Sequence, residues 1–179
     1  MKKGLLFFAL VFTTVAVWAQ ENTFTLSGGY VFSNLEETDT GANGYRINGN
    51  FEFNPNQGNF SHGITVAYIH TTASGVQNVE YKLNNVPIYY APKVTFGQGK
   101  AKAFVKGALG THWSGYKREA ATEITSSDFG FYGGAGAGFI INVNEKVFLN
   151  AEYEWAYLSN SWYRDGFVNS AMAGIGFRF

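Results

Sequence analysis

From Phe24 to the last residue, Phe179, apolar side chains recur at every second position along most of the chain, with polar or small residues between them. That is the repeat of a β-strand with two unlike faces. In the closing stretch, residues 167–179, Phe167, Ala171, Ala173, Ile175, Phe177 and Phe179 form the apolar set, interrupted only by Asn169. Ser170, Gly174, Gly176 and Arg178 fall between them. Seven further stretches read the same way: about 24–33, 45–53, 61–70, about 87–96, 101–113, 129–143 and 147–157. The clearest is 45–53, which sets Tyr45, Ile47, Phe51 and Phe53 against Arg46, Asn48, Asn50 and Glu52. In 101–113 Phe104 falls on the polar side as an exception. No stretch beyond residue 19 carries a convincing helical period, so the pattern predicts an all-β chain of eight strands.

The predicted connections alternate in length. Residues 34–44, 71–86, 114–128 and 159–166 are long and polar, whereas 54–59, 97–100 and 144–146 are short. An up-and-down meander that crosses a bilayer has this form, with long loops outside the cell and short turns in the periplasm. Three features assign the apolar face to lipid. Strands of about 9–11 residues match a tilted crossing of the hydrocarbon core. Tyr45, Phe53, Trp113, Phe129, Trp155 and Tyr157, with Phe177 and Phe179, stand near strand ends, where an interfacial aromatic girdle sits. The other face is small, glycine-rich and sparsely charged, as suits the inside of a narrow barrel.

Only a closed barrel satisfies strand backbones in lipid, and eight strands enclose a lumen just wide enough for side chains to fill. The expectation is an eight-stranded antiparallel up-and-down transmembrane β-barrel with a plugged lumen. Its inward set offers Arg46, Lys93, Lys102, Lys106 and Arg178 against Glu52, Glu152 and Glu154. These are expected to pair, because an isolated buried ion costs several kcal/mol to desolvate. A narrow channel, in which the charges leave a water path, is one alternative. A soluble ligand-binding barrel with its aromatic set turned inward is another.

Residues 1–19, MKKGLLFFALVFTTVAVWA, have two lysines, a short apolar run and small residues at Val17 and Ala19, the layout of a cleaved secretory signal. The expected mature chain, 20–179, forms one barrel domain. It contains no cysteine, so neither a disulfide nor a lipoprotein anchor is expected. Lysine plus arginine and aspartate plus glutamate number 13 each, a balance that argues against nucleic acid as a partner.

The aromatic end of the last stretch resembles the closing strand of Gram-negative outer-membrane β-barrels. The resemblance implies that Phe167, Ile175, Phe177 and Phe179 carry the signal read by the barrel-insertion machinery. A second stretch, VPIYYAPKVTFGQGKAKAFVKGALGTHWS at 86–114, is similar to the outer-membrane β-barrel domain family of porin family proteins, with Pro87 heading a strand and Gly110 near the membrane rim. With the signal segment and closing strand, the resemblance spans the mature chain. It implies a monomeric barrel like the OmpX and OmpA membrane domains, in contact with outer-membrane lipid and lipopolysaccharide. It also implies a role in envelope integrity or in contact with an extracellular protein through the loops. Because the chain stops at the last strand, no periplasmic peptidoglycan-binding domain is expected. Pro87 and Pro92 are each expected at a bulge or at a ragged strand start, since a closed barrel offers no edge to shelter a missing N–H.

Candidate chemistry is sparse, and no catalytic residue, cofactor or metal site is expected. His62, His70 and His112 do not have the spacing of a metal site. His112 and Ser114 resemble the His and Ser of outer-membrane lipid A deacylases, but the sixth strand lacks the Glu that would orient the His. The nearest acids, Glu119 and Glu123, lie in a predicted loop. Glu36, Glu37 and Asp39 gather in the first long loop without the spacing of a calcium loop. In the fourth loop Trp162 and Tyr163 stand beside Arg164 and Asp165, which predicts an exposed aromatic tip.

Overall fold

The structure, a computed structural model, describes residues 22–36, 40–54, 58–75, 79–119, 123–160 and 162–179. The expected signal segment lies outside these. Nine strands follow one another: β1 (Asn22–Asn34), β2 (Gly41–Phe53), β3 (Phe60–Ser74), β4 (Glu80–Tyr90), β5 (Lys93–Phe96), β6 (Ala101–Glu119), β7 (Ile124–Asn142), β8 (Val147–Leu158) and β9 (Phe167–Arg178). All paired neighbours are antiparallel, and β4 and β5 are two halves of one stave between β3 and β6. β1 pairs with β2 on one side and with β9 on the other, which closes an eight-staved barrel. The seam runs to the last residue: Asn22 N donates to Phe179 O at 3.2 Å, and Phe179 N to Asn22 O at 3.0 Å. No edge remains open along the seam, the condition for strands to sit in lipid.

Burial alternates along each stave as the residue pattern requires. Tyr45 and Ile47 point outward while Arg46 and Asn48 are buried, and Trp155 and Tyr157 point outward while Glu154 and Ala156 are buried. Phe104, the exception in its strand, points inward, where it packs with Ile140 and Phe148 near the short-turn end. Tight walls explain the small residues of the inner face. A Cβ added to Gly44 would lie 1.7 Å from the backbone oxygen of His70, whereas one on Gly41 would meet nothing within 4 Å. Gly44→Ala is therefore expected to cost about 1–3 kcal/mol through overpacking. Gly41→Ala should stay within about 0.5 kcal/mol of the parent. Urea unfolding in lipid vesicles checks both.

Two expectations are corrected. Pro87 marks neither a bulge nor a strand start, and Pro92 falls in the break just before β5. β4 begins at Glu80, and the register against β6 is unbroken from Pro87↔His112 through Tyr90↔Leu109 to Lys93↔Lys106. Each proline instead leaves a gap in its ladder. Pairing with β3 is missing opposite Pro87, and β4 gives way to β5 at Ala91 and Pro92, where Pro92 still accepts a bond from Gly107 N at 2.9 Å. A missing donor removes one bond without displacing the strand.

Two of the four long polar connections, 71–86 and 114–128, are also mostly strand. β3 runs to Ser74, β4 starts at Glu80, and β6 and β7 pair from Ala101↔Ile141 to Arg118↔Ile124. Polar residues pair there as readily as apolar ones, because the hairpin has left the hydrocarbon and needs no lipid-facing set.

Candidate functional site

The interior is built in three levels from the inward residues of all eight staves. At the centre Glu154 of β8 gathers groups from four other strands. Arg46 of β2 reaches its Oε1 at 2.6 Å, Lys106 of β6 its Oε2 at 2.7 Å, Tyr132 of β7 donates to Oε1 at 2.5 Å, and Tyr89 of β4 donates to Oε2 at 3.2 Å. Arg46 also donates to Tyr89 at 2.8 Å, to Asn48 at 2.7 Å and to Ser170 at 3.4 Å. Lys106 also pairs with Glu152 at 2.5 Å. The Arg46 and Glu154 side chains are 0% exposed. Such a network is stable only when every member is satisfied.

Toward the short-turn end a second pair joins Lys93 to Glu52, which also accepts from Asn50 at 2.6 Å and from Ser61 at 3.3 Å. A cavity of about 20 Å³ separates this pair from the central cluster, space for about one water. Of the eight charges expected in the lumen, six lie in these two clusters. Lys102 and Arg178 do not join them. Both sit at the mouth, Lys102 without an ion pair among the described residues and Arg178 on neutral oxygens of Asn142 and Glu145. Tyr89, Tyr132, Asn48 and Ser170 complete the centre and were not singled out from sequence. Their inward parity was visible, but their contact with Glu154 and Arg46 depends on cross-barrel geometry.

At the opposite end an apolar level of Val31, Leu35, Ile69, Leu83, Leu158 and Val168 is roofed by Tyr163, which is 1% exposed. This corrects the expected exposed tip. Tyr163 bridges Leu35, its hydroxyl meets Thr71 at 2.8 Å and Asn85 at 2.9 Å, and Trp162 stacks on Tyr116 at 5.4 Å between centroids. Ser161, Glu37 and Asp39 lie outside the described residues.

His112 and Ser114 also belong to this roof. They face the lumen, 1% and 0% exposed, with Nδ1 and Oγ 2.7 Å apart. Ser114 Oγ donates to Asn85 Oδ1 at 2.5 Å, so the His112 nitrogen facing it must be the donor. A nucleophilic pair needs the reverse, with His accepting the hydroxyl proton. Nε2, where an orienting acid would bind, has no partner among the described residues. The arrangement serves as a structural chain from His112 through Ser114 and Asn85 to Tyr163.

On the outer surface Tyr45, Trp113, Phe129, Trp155 and Tyr157 lie toward the long-hairpin end, and Phe53 toward the other. Phe167 packs on Trp155 at 4.5 Å, Ile175 and Phe177 face outward, and Phe179 meets Phe51 at 6.3 Å. Tyr45 to Phe53 spans eight steps at ~3.3 Å each, tilted by ~40°, roughly 20 Å of height. Trp113 is six residues short of the end of β6, so the β6–β7 hairpin projects beyond the belt. Lys82, Lys117, Glu119 and Glu123 clasp its tip at 2.9 to 3.3 Å. The hydrogen bond from Lys82, with a second from Lys117, holds the Glu119 carboxyl below its ordinary range. That contribution is present above the ordinary carboxylate pKa and is lost as pH falls through the lower folded value. Close to solvent as these side chains are, it is small.

Comparison with known proteins agrees with this geometry. The chain is 29% identical over 181 residues to outer membrane protein X of Enterobacter cloacae, covering 96% of this chain and 94% of that one. Its fold matches Neisserial surface protein A with a TM-score of 0.68 at 15% identity, over 88% of this chain and 97% of that one. It also matches Ail, the attachment invasion locus protein of Yersinia pestis, at 0.57 and 19% identity, over 89% and 99%. The model of the outer membrane protein beta-barrel domain matches residues 5–179. The chain therefore belongs to the outer membrane protein beta-barrel domain family, an assignment that implies location in the outer membrane.

Proposed function

We propose that this barrel is a non-catalytic, plugged outer-membrane protein that acts at the cell surface by docking an extracellular protein onto the free edge of β7. One observation carries this reading. From Ile124 to Arg118 and down to Trp113↔Phe129 β7 is paired with β6, but its pairing with β8 begins only at Tyr132↔Leu158. Residues 124–128, above Phe129 of the aromatic belt, thus present backbone donors and acceptors with no described strand beside them, whereas Phe131 is already tied to Ser159 through both its N–H and its carbonyl. Natural edges are blunted with lysine, proline or bulges. Here the residues from Ile124 to Phe131 include one charge, Asp128, and no proline. An extended segment of a partner can add to such an edge by main-chain hydrogen bonds. The paired lumen charges and the roof of Tyr163 support a body that conducts no ions, so steady conductance in planar bilayers is not expected.

Adjacent strand residues direct their N–H groups to opposite sides. Of Ser126→Pro and Ser127→Pro, one removes a bond to β6 and the other only a donor on the free edge. Cells displaying the barrel are expected to retain a component of a labelled serum-protein mixture. The edge-directed proline should lower that retention about tenfold, equivalent to ~1.4 kcal/mol, while the barrel still shifts in gel mobility on boiling. Equal retention by both variants and the parent would rule the edge out.

A further inference from the structure

The short-turn end, independent of the surface reading above, holds a cavity of about 170 Å³ opening toward the periplasm. Lys93, Lys102 and Arg178 line it, and Glu52 is the one carboxylate among its lining residues. Lys93 is in contact with Glu52. The other two cations form no ion pair among the described residues. Arg178 is nevertheless held in place: Nη2 donates to Asn142 Oδ1 at 2.5 Å, Nη1 to the backbone oxygen of Glu145 at 3.4 Å, and the guanidinium lies 4.7 Å from the ring centre of Phe148. Its bonds go to neutral oxygens, so it is oriented without being neutralised. The central cluster is unlike this, since Arg46 and Lys106 there each meet a carboxylate.

Charge, shape and depth point to one ligand chemistry. Two unneutralised cations suit a phosphate group, whose charge approaches −2 as inorganic phosphate and is about −1 as a lipid phosphodiester, and a guanidinium fork suits its oxygens. Low-dielectric walls, here Ile140 and Phe148, focus the field of such charges into the cavity. At ~30 Å³ of liquid volume per water, the space admits a phosphate with part of its hydration. We propose that the periplasmic mouth of this barrel is a binding site for a phosphate group, with Lys102 and Arg178 as its binding residues. The group can come from a soluble phosphate or from a phospholipid headgroup of the inner leaflet, which the experiment separates.

The test is calorimetric titration of the full-length mature barrel in dodecyl maltoside at low salt, with inorganic phosphate and, separately, with dihexanoyl phosphatidylglycerol. Binding of phosphate itself assigns a soluble source, and binding of the lipid alone assigns a headgroup. Either is expected to weaken about tenfold or more in Lys102→Gln/Arg178→Gln, each tenfold being ~1.4 kcal/mol. Should that variant fail to show the gel shift of a folded barrel, Glu52→Gln provides the second arm. It frees Lys93 and is expected to tighten binding several-fold. The proposal is overturned if neither probe binds the parent, if the double variant binds as the parent does, or if Glu52→Gln leaves affinity unchanged or weaker.

Discussion

Glu154→Gln is expected to lower the folding free energy of the barrel by about 3–5 kcal/mol, the range for removing one partner from a buried ion network. Arg46 loses its one carboxylate among the described residues, although Lys106 keeps Glu152. Tyr89 and Tyr132 lose a charged acceptor, and hydrogen bonds to charged groups contribute roughly 1.5–3 kcal/mol each. Arg46→Met is a smaller lesion, since Glu154 keeps Lys106 and both tyrosines. About 1–3 kcal/mol is expected there, the cost of leaving buried polar groups unpaired. In the double variant the losses should not add, with an interaction term of about 0.5–3 kcal/mol because the two residues touch. Equilibrium urea titration in phosphatidylcholine vesicles reads all three. A Glu154→Gln barrel within ~0.5 kcal/mol of the parent would mean that water reaches the centre, and the plugged lumen would fall with it.

Leu109→Arg tests the outer face, with an expected cost of about 2–4 kcal/mol, the range for a cation near the bilayer midplane. Leu109 is 59% exposed on β6, four residues below Trp113 and eight above the start of the strand. That places it ~10 Å under the upper aromatic ring at ~3.3 Å per residue and ~40° tilt. The same change at Ile124, which is exposed on the projecting hairpin although it has the lumen-side parity of β7, should cost less than ~1 kcal/mol, since arginine there meets water or headgroups. A membrane belt requires the two positions to differ. Equal small effects at both would place Leu109 in water and overturn the assignment of the apolar face.

Much of this architecture is written in single residues. Because strand side chains alternate strictly, Tyr45 and Ile47 outward force Arg46 and Asn48 inward, and a slip of one residue would reverse both faces. The inward placement of Lys106, Glu152 and Glu154 and the outward placement of Trp155 and Phe177 follow from the same parity. Parity also carried information that composition hid. Tyr81, Leu83 and Asn85 all point inward in a stretch with the composition of a loop, its asparagines masking the strand.

Sequence by itself therefore determined the period, the sidedness and the closed all-β class, since these depend only on local strand geometry and on the need to satisfy every backbone group in lipid. The tertiary structure alone decided who meets whom across the lumen. Glu154 collects Arg46, Lys106, Tyr89 and Tyr132 from strands up to 108 residues away, because closure and register bring their levels together. Lys102 has the same inward parity but lies nearer the mouth than Lys106, out of reach of Glu152 and Glu154. Tyr163 could not be assigned to roof or tip from its neighbours, because its burial comes from Leu35, Thr71 and Asn85, each on a different strand or loop. Parity is a property of one chain segment, whereas pairing depends on distances that exist only once the barrel has closed.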